Sequence, residues 1–331
     1  MNMNENIKAL LCAIAIAVLL PGVMFSVVEK KIGYQVPEGT TMAVTEQASD
    51  ATVPLPAGSM AIPVLLGDGT VDTMDMDTYI TGVVLGEMPA DFDTEALKAQ
   101  AVVARTYAYK RHTTGQKHIL NAVCTESSCC QSYISQQDYL TRGGSEESVL
   151  KIVQAVQSTT GQVLTYNGAL IEATYFSCSG GKTEDAQAVW GTAIPYLQAV
   201  DSPGEENATH YKDTVKFTAK EFSSSLGFTP VGSPISWISG ITYTPGGGVD
   251  TIKICGVTYR GTVLRQKLGL RSTVFTIMIV GGDVHIQTKG FGHRVGMSQY
   301  GAEAMAVNGS SYQQILSHYY PNTVLQEYLE N

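Results

Sequence analysis

The feature that most constrains this chain is an apolar stretch that carries a single acid and is followed at once by an amphipathic helix. Residues 79–109 read YITGVVLGEMPADFDTEALKAQAVVARTYAY. Pro89 disfavours helical geometry at the residue before it, so the apolar run should end there. A new helix, capped by Asp93 or Thr94, is predicted for residues 94–111 because apolar side chains recur there at helical spacing.

The acid within the apolar stretch, Glu87, is the first candidate for a catalytic residue. Its sequence neighbours are apolar, and a partly desolvated carboxyl group keeps its proton more readily and can donate it near neutral pH. On the helix that follows, Lys98 and Arg105 are seven residues apart and share one face. The alternative is a plain amphipathic helix preceded by a solvated glutamate, since charged side chains are mostly exposed.

Hydrophobic patterning predicts an α+β fold. Strands are predicted for residues 60–85 and 160–178, and helices for residues 94–111, 146–158 and 298–318. Short apolar runs separated by Gly and Pro, with one short helix at KFTAKEFSSSLGF, predict a smaller β-rich lobe over residues 204–285. This lobe would be inserted into a mixed helix and strand core of residues 59–203 and 286–331. Clefts between lobes often bind ligands, so the substrate is predicted to lie between core and lobe.

The N-terminal region predicts a membrane anchor, placed at residues 1–28. Residues 9–28 read ALLCAIAIAVLLPGVMFSVV and carry no charge, and about 20 apolar residues suffice for a transmembrane helix. A cleaved signal peptide is the alternative, because Pro21 and Gly22 interrupt the run. Residues 29–58 show no clear hydrophobic period and predict a linker.

Cysteine spacing predicts a metal site. His118, Cys124, Cys129 and Cys130 place one imidazole and three thiols within thirteen residues. Three thiolates and one imidazole form a closed tetrahedral set that suits one structural zinc ion. Cys178 is an alternative fourth ligand, and the alternatives to a metal are a Cys124–Cys130 disulfide or reduced thiols.

Polar and aromatic residues in two further motifs are candidates for contact with a sugar. Gln131 and Tyr133 follow the thiols directly, and an amide and a phenol suit a ring that carries hydroxyl and acetamido groups. In YFSCSGG, a strand followed by a glycine turn, Tyr175, Ser177 and Ser179 are expected to line the cleft. Each of these residues could instead be an ordinary surface or turn residue.

Histidine and tryptophan side chains give less specific signals. His293, in GFGHRVGMSQYG, is a candidate for orienting groups in the cleft or a hydrogen-bonded core residue. Trp190 is expected to be a core anchor rather than a platform for a sugar, because tryptophan is highly buried on average. His318 is expected to be structural.

Several common functions are argued against by the sequence. A net charge of −9 leaves no basic surface for nucleic acid. Glycines at 290, 292 and 296 only approximate a dinucleotide-binding motif, and no βαβ pattern surrounds them. Ser177 and Ser179 lack the G-x-S-x-G elbow of a serine hydrolase.

Taken in order, the motifs resemble those of the stage II sporulation protein D family. Segment 79–109 carries the family signature, and it is followed by CCQSY at 129–133, EATYFSCSGGKTEDAQAVWG at 172–191, PYLQAVDSP at 195–203 and KGFGHRVGMSQYGAEAMA at 289–306. With YQQILSHYYPNT at 312–323, the resemblance covers about residues 60–325.

The resemblance implies a peptidoglycan lytic transglycosylase, which is a lyase. Glu87 would protonate the oxygen between N-acetylmuramic acid and N-acetylglucosamine. As a carboxylate it would then take a proton from the sugar's 6-hydroxyl, which leaves a 1,6-anhydromuramoyl end. Lys98 and Arg105 would bind the lactyl carboxylate or pyranose oxygens, unless they pair with nearby acids.

The resemblance also implies a location and partners. The domain would lie outside the cytoplasm on the mother-cell membrane facing the forespore, with an amidase (stage II protein P) and a membrane protein (stage II protein M) as partners. Relatives that enhance an amidase suggest an alternative, a glycan-binding module without catalysis. A zinc hydrolase is disfavoured, because catalytic zinc normally keeps an open position that a closed cysteine-rich set lacks.

Overall fold

Helices and strands are mixed along residues 60–115 and 117–328, the part of the chain that the computed structural model describes. The helices are α1 Met76–Glu87, α2 Thr94–Thr114, α3 Gln136–Thr141, α4 Glu146–Gln157, α5 Ala186–Trp190, α6 Ala219–Leu226, α7 Gly261–Lys267, α8 Gln299–Val307 and α9 Tyr312–Tyr319. The strands are β1 Ala61–Leu65, β2 Val71–Asp75, β3 Val123–Cys124, β4 Gln162–Tyr166, β5 Ala169–Leu170, β6 Tyr175–Phe176, β7 Lys212–Phe217, β8 Ile238–Tyr243, β9 Val249–Ile254, β10 Val257–Arg260, β11 Val274–Val280, β12 Asp283–Lys289, β13 Met297–Ser298 and β14 Val324–Glu327. The α+β prediction is confirmed.

The predicted membrane anchor at 1–28 and the linker at 29–58 lie outside the described residues. Within the described residues, no helix combines the length and the apolar character that crossing a bilayer requires.

The apolar run before Glu87 is a helix, which corrects the prediction of strands through residue 85. Strands β1 and β2 form an antiparallel hairpin, and β3 pairs with β1 in parallel. Helix α1 begins directly after β2, because the Asp75 carboxylate accepts a hydrogen bond from Thr78 N at 3.0 Å and caps the first turn. The helix is buried on nearly every side, so tertiary packing overrides the strand preference of its β-branched residues.

Helix α2 is the central element of the larger hydrophobic core. Asp93, one of the two predicted caps, caps this helix by accepting a hydrogen bond from Glu95 N at 2.8 Å. The helix ends at Thr114, three residues past its predicted end. It packs against α1, α4, α8, α9 and β4. The single helix predicted for 298–318 is two helices, α8 and α9. A left-handed Gly309 with φ of 88° ends the first, and a Ser311 capping box begins the second.

The buried side chains of a second hydrophobic core all lie between Phe222 and Ile286. Two three-stranded sheets surround it, in the orders β10-β9-β8 and β11-β12-β7, together with helices α6 and α7. The short helix predicted within KFTAKEFSSSLGF is α6. The proposed lobe limits at residues 204 and 285 stay a prediction.

A buried guanidinium joins the two cores. Arg294 donates from Nε to Ser179 O at 2.8 Å and from an Nη to Lys182 O, also at 2.8 Å. Its other Nη lies 3.6 Å from the Glu184 carboxylate, which accepts from the lobe's Gly246 N at 3.1 Å. These contacts fix the lobe beside the turn that follows β6.

Candidate active site and metal cluster

Glu87 is the last residue of α1, and its carboxyl group meets two other segments of the chain. Oε1 accepts a hydrogen bond from Ser132 N at 2.7 Å, and Oε2 lies 3.4 Å from the donor Gln299 Nε2 of α8. Burial raises the pKa of Glu87, while the hydrogen bonds from Ser132 and Gln299, and a smaller effect of the Tyr175 hydroxyl, act in the opposite direction without cancelling it. Each carboxyl oxygen therefore has an N–H donor beside it, and the bond to Ser132 N is the shorter of the two.

The raised pKa of Glu87 implies that the carboxylate lowers the stability of the fold. We expect Glu87→Gln to raise the melting temperature at neutral pH, because a neutral amide avoids the cost of a buried charge. The folded protein binds more protons than the unfolded chain between the two pKa values of Glu87. The gain should therefore grow as pH rises through that interval and vanish below about pH 4, near the pKa of an unfolded glutamate.

Melting curves of the parent and Glu87→Gln proteins between pH 4 and pH 8 test this prediction. Glu206→Gln is the control, because Glu206 is exposed. A stability difference that stays constant over the whole pH range would mean that the charge of Glu87 carries no such cost.

A chain of hydrogen-bonded polar groups lies on the protein side of the Glu87 carboxyl group. Gln131 is 1% exposed, and it donates from Nε2 to Tyr79 Oη at 3.4 Å and accepts at Oε1 from Tyr175 Oη at 3.1 Å. Tyr79 Oη in turn donates to Cys124 O at 3.4 Å. The structure therefore corrects the prediction that Gln131 contacts substrate: its two polar ends are occupied by tyrosines, and it positions Tyr175 beside Glu87.

Tyr133 also faces the protein rather than the cleft, contrary to the prediction. Its ring stacks on Tyr79, with centroids 5.8 Å apart, and its hydroxyl lies 3.8 Å from Met74 Sδ. The ring lies against Gly82 of α1, where a Cβ atom would come within 2.2 Å of it. Only glycine allows this close approach of the Ser132 segment to the helix that carries Glu87.

A cavity of about 390 Å³ opens in front of Glu87, within the size range of ligand pockets. It is lined by Glu87, Tyr107, Ser127, Cys130, Ala173, Thr174, Tyr175, Phe176, Ser177, Phe291, Gly292, His293 and Gln299. The cavity therefore brings Tyr175, Ser177 and His293 together with Glu87, and their contact with a substrate stays a prediction. None of the lining residues belongs to 204–285, so the cavity does not lie between the core and the predicted lobe, contrary to the prediction. The loop that follows β12 instead passes back over β6 and forms part of the cavity wall.

The remaining predicted substrate ligands, Lys98, Arg105 and Ser179, are not among the residues that line the cavity. Lys98 pairs with Glu95 at 2.7 Å and lies 5.9 Å from the centre of the Tyr312 ring. Arg105 is fully buried and pairs with Asp77 at 2.9 Å, which contradicts its predicted contact with substrate. Lys98 and Arg105 lie seven residues apart on one face of α2. At residue 105 this face points into the core, because other elements surround α2 there.

Ser179 is buried and is held by an acid that the sequence did not single out. The Glu205 carboxylate accepts from Ser179 N at 2.7 Å, Ser179 Oγ at 2.9 Å and Gly180 N at 3.0 Å. Its other oxygen accepts from Ser202 Oγ at 2.6 Å. Glu205 thereby fixes the turn after β6, and the predicted place of Ser179 in the cleft is wrong.

His293 is a neutral imidazole in this setting. Burial, with a smaller contribution from the charge of Arg265, lowers the pKa of His293 to about 4. Val295 N donates to Nδ1 at 3.1 Å, so the proton of the neutral ring resides on Nε2. The loop lies so close to β6 that a Cβ atom at Gly292 would be 2.7 Å from Phe176 Cβ. His293 thus forms a fixed part of the wall and is not a proton donor at neutral pH.

The predicted metal ligands lie together beside the cavity. One ligand atom from each of His118, Cys124, Cys129 and Cys130 falls within 4.8 Å of the others. His118 Nε2 is 3.2 Å from Cys129 Sγ and 3.6 Å from Cys130 Sγ. The backbone makes this possible because Cys129 N and Cys130 N both donate to Glu126 O, which turns the vicinal thiols to one side.

The donor set fits a metal ion. Three sulfur atoms and one nitrogen are the number and kind of ligands that a tetrahedral zinc ion would accept, and the cysteines of the described chain are free thiols. The buried Cys178, the alternative ligand, lies outside the cluster. An ion held here would fix the loop from which Gln131 and Ser132 reach the tyrosines and Glu87.

Loss of one thiol from the cluster should lower metal content and stability together. We expect Cys124→Ser to reduce the bound metal from about one ion per chain and to lower the melting temperature, because metal binding is coupled to folding. Elemental analysis and thermal melting measure the two effects. Cys255→Ser is the matched control, since Cys255 is exposed and lies outside the cluster. Protein that contains no metal in its parent form would contradict the assignment.

Comparisons with known proteins agree with the motif pattern. The family model for Stage II sporulation protein (SpoIID) matches residues 67–166. The chain is 40% identical over 304 residues to Stage II sporulation protein D of Bacillus subtilis (strain 168), which covers 90% of this chain and 88% of that protein. It is 37% identical to Stage II sporulation protein D of Bacillus amyloliquefaciens, over 88% of this chain and 86% of the relative. The Amidase enhancer of Bacillus subtilis (strain 168) is 30% identical over 75% of this chain and 40% of its own length.

Proposed function

The chain belongs to the stage II sporulation protein D family, and we propose on that premise that it is a peptidoglycan lytic transglycosylase in which Glu87 is both acid and base. The observation that carries the proposal is the chemistry of the cavity: among the described residues that line it, Glu87 is the only one with a carboxyl group. Glycoside hydrolysis generally needs a second carboxylate, to act as a nucleophile or to activate water. A lytic transglycosylase can work with one.

The first half of the reaction uses the neutral acid. The raised pKa keeps a larger share of Glu87 protonated, and the neutral carboxyl group donates its proton to the oxygen that bridges N-acetylmuramic acid and N-acetylglucosamine. The bond between the anomeric carbon and that oxygen breaks, and N-acetylglucosamine leaves with the proton. The donors Ser132 N and Gln299 Nε2 stabilise the carboxylate that remains.

The second half returns the proton. The 6-hydroxyl oxygen of the muramic acid residue attacks its own anomeric carbon and loses its proton to Glu87. The product is a 1,6-anhydromuramoyl end, and no water is consumed. Because the nucleophile is part of the substrate, the protein supplies geometry and a single proton carrier. This matches a cavity whose lining holds, besides Glu87, aromatic, hydroxyl and amide side chains, the neutral His293 and the Cys130 thiol, but no second acid.

The metal cluster has a structural part in this proposal. His118, Cys124, Cys129 and Cys130 would hold zinc, which when bound supplies a rigid cross-link for the loop. Two residues of that loop connect it to Glu87. Ser132 N donates a hydrogen bond to the carboxyl group directly, and Gln131 positions Tyr175 beside it.

Mass spectrometry of purified glycan strands incubated with the protein tests the proposed reaction. We expect products that end in 1,6-anhydro-N-acetylmuramic acid, each lighter by one water than the corresponding hydrolysis product. Reducing N-acetylmuramic acid ends would instead indicate a hydrolase, for which the second carboxylate would have to come from outside the cavity described.

A second candidate function is supported by the similarity to a protein named Amidase enhancer. On that alternative the cavity binds a glycan strand and increases the activity of a separate amidase without cleaving the strand. Intact strands after incubation, combined with faster release of stem peptides when an amidase is added, would favour it over catalysis.

Membership of this family also supports a proposal about where the protein acts and with which partners. We propose that the domain acts during sporulation, outside the cytoplasm on the mother-cell membrane that faces the forespore. Its partners would be the sporulation amidase, stage II protein P, and the membrane protein, stage II protein M.

A further inference from the structure

Trp190 is exposed, which corrects the prediction that it anchors the core. It is the last residue of α5, and 44% of its surface is accessible, whereas the chain's other tryptophan, Trp237, is 3% exposed inside the lobe core. Its indole ring rests against the His293 imidazole, with centroids 5.6 Å apart and planes inclined by 53°. An exposed tryptophan with one side packed and the other open presents an apolar surface for a ligand.

The indole continues the wall of the cavity in front of Glu87. His293 lines that cavity and packs against Phe176, with ring centroids 5.7 Å apart. Trp190 packs against the same imidazole but is not among the lining residues. The rings of Phe176, His293 and Trp190 therefore form a continuous aromatic surface that starts inside the cavity and ends in solvent.

The position of Trp190 is fixed from both sides. Asp185 caps the short helix α5 by accepting from Gln187 N at 2.7 Å, and the left-handed Gly191, with φ of 81°, ends it directly after the tryptophan. From the inserted lobe, Arg260 donates to Ala188 O at 2.6 Å. These contacts fix the backbone that carries Trp190, and the indole itself packs on His293, so less freedom is lost when a ligand binds.

We propose that Trp190, supported by His293, is a saccharide subsite that binds a sugar unit of the glycan strand beyond the units held in the cavity. The inference rests on the proposed function for the identity of the glycan. A pyranose ring presents C–H groups on its faces and hydroxyl groups around its edge, so it can cover an aromatic ring while its polar groups stay in water. A cavity of about 390 Å³ cannot enclose a polymer, and the strand must leave it along some surface.

Continuity favours a sugar over a protein partner as the occupant of this surface. The indole packs on His293, which lines the cavity together with Glu87, so a strand that leaves the cavity over His293 meets Trp190 next. Arg260 also gives the inserted lobe a part in glycan recognition, because the lobe contributes no residue to the cavity but holds the helix that carries Trp190.

Binding can be measured apart from cleavage in the Glu87→Gln background. The probes are peptidoglycan glycan strands of defined length, freed of stem peptides, titrated against the full-length protein. We expect Trp190→Ala to raise the Kd for long strands by about tenfold and to have little effect on a disaccharide. Trp190→Phe should recover most of the affinity, because it keeps an aromatic face. The matched control is Tyr243→Ala, which removes another exposed aromatic ring, 62% accessible, from the lobe.

Intrinsic fluorescence supplies a second readout. Only Trp190 is placed to change its emission when glycan binds, since Trp237 is buried. Saturating long strands should change the emission of the Glu87→Gln protein, and the change should be lost when Trp190→Phe is added.

Unchanged affinity of the Trp190→Ala protein for long strands would overturn the subsite and would point to a protein partner for the exposed ring. The outcome is separate from that of the proposed reaction. If the parent protein makes no anhydro ends but Trp190→Ala still weakens glycan binding, the reaction is wrong and the subsite stands. If anhydro ends form but Trp190 does not affect binding, the subsite is wrong and the reaction stands.

Discussion

Replacement of Glu87 by Gln is expected to lower the rate of anhydromuramoyl product formation by roughly a hundredfold or more while the protein stays folded and binds glycan. Glutamine keeps the shape of the side chain, and its amide oxygen can accept from Ser132 N as Oε1 does. It cannot donate the proton that the leaving oxygen needs. The measurement is the initial rate at saturating glycan, with product ends quantified by mass spectrometry.

A matched control separates loss of the catalytic proton from loss of any partly buried carboxyl group. Burial also raises the pKa of Glu303, whose carboxylate accepts from Asp93 N at 2.6 Å, but Glu303 does not line the cavity. Glu303→Gln should therefore keep the parent rate. In the parent protein, activity should fall as pH rises above the raised pKa of Glu87, because the acid form disappears. Full activity in Glu87→Gln would remove Glu87 from the mechanism.

The central helix and its start could be predicted from sequence because their signals are local. Asp93 and the apolar spacing that follows it lie within a few residues of one another, and the structure places cap and helix accordingly. Helix α1 could not be recognised in the same way. Its middle contains Ile80, Val83 and Val84, which favour strands, and burial on nearly all sides removes the polar face that reveals a helical period.

The same distinction applies to the site. The metal ligands lie within thirteen residues, so their spacing alone indicated a cluster, and the structure brings them together. Gln299 lies 212 positions from Glu87, and Glu205 holds the turn after β6 by contacts with Ser179 that no short motif contains. These residues could therefore not be predicted from local spacing. A helical face predicts which residues share a direction but not whether that direction is solvent or core. Lys98 and Arg105 differ for this reason.

Arg105 should therefore matter for stability rather than for glycan binding. We expect Arg105→Ala to lower the free energy of unfolding by about 3–5 kcal/mol, because it leaves the buried Asp77 carboxylate without its guanidinium. The change also removes hydrogen bonds to Thr159 O at 2.8 Å and Val156 O at 3.2 Å, which tie α2 to the end of α4. Urea unfolding of the parent and variant proteins measures the loss.

Lys98→Ala is the matched control on the same helix. Its ion pair with Glu95 is partly exposed, and such pairs contribute only about 0–1 kcal/mol. If enough Arg105→Ala protein is folded at low temperature, the folded fraction should bind glycan with the parent Kd, since the residue lies in the core. Parent stability combined with weakened glycan binding would instead require the Arg105 side chain to leave the core and reach the strand. Full burial of the guanidinium against Asp77 opposes that movement, because it would abandon a charged partner in the protein interior.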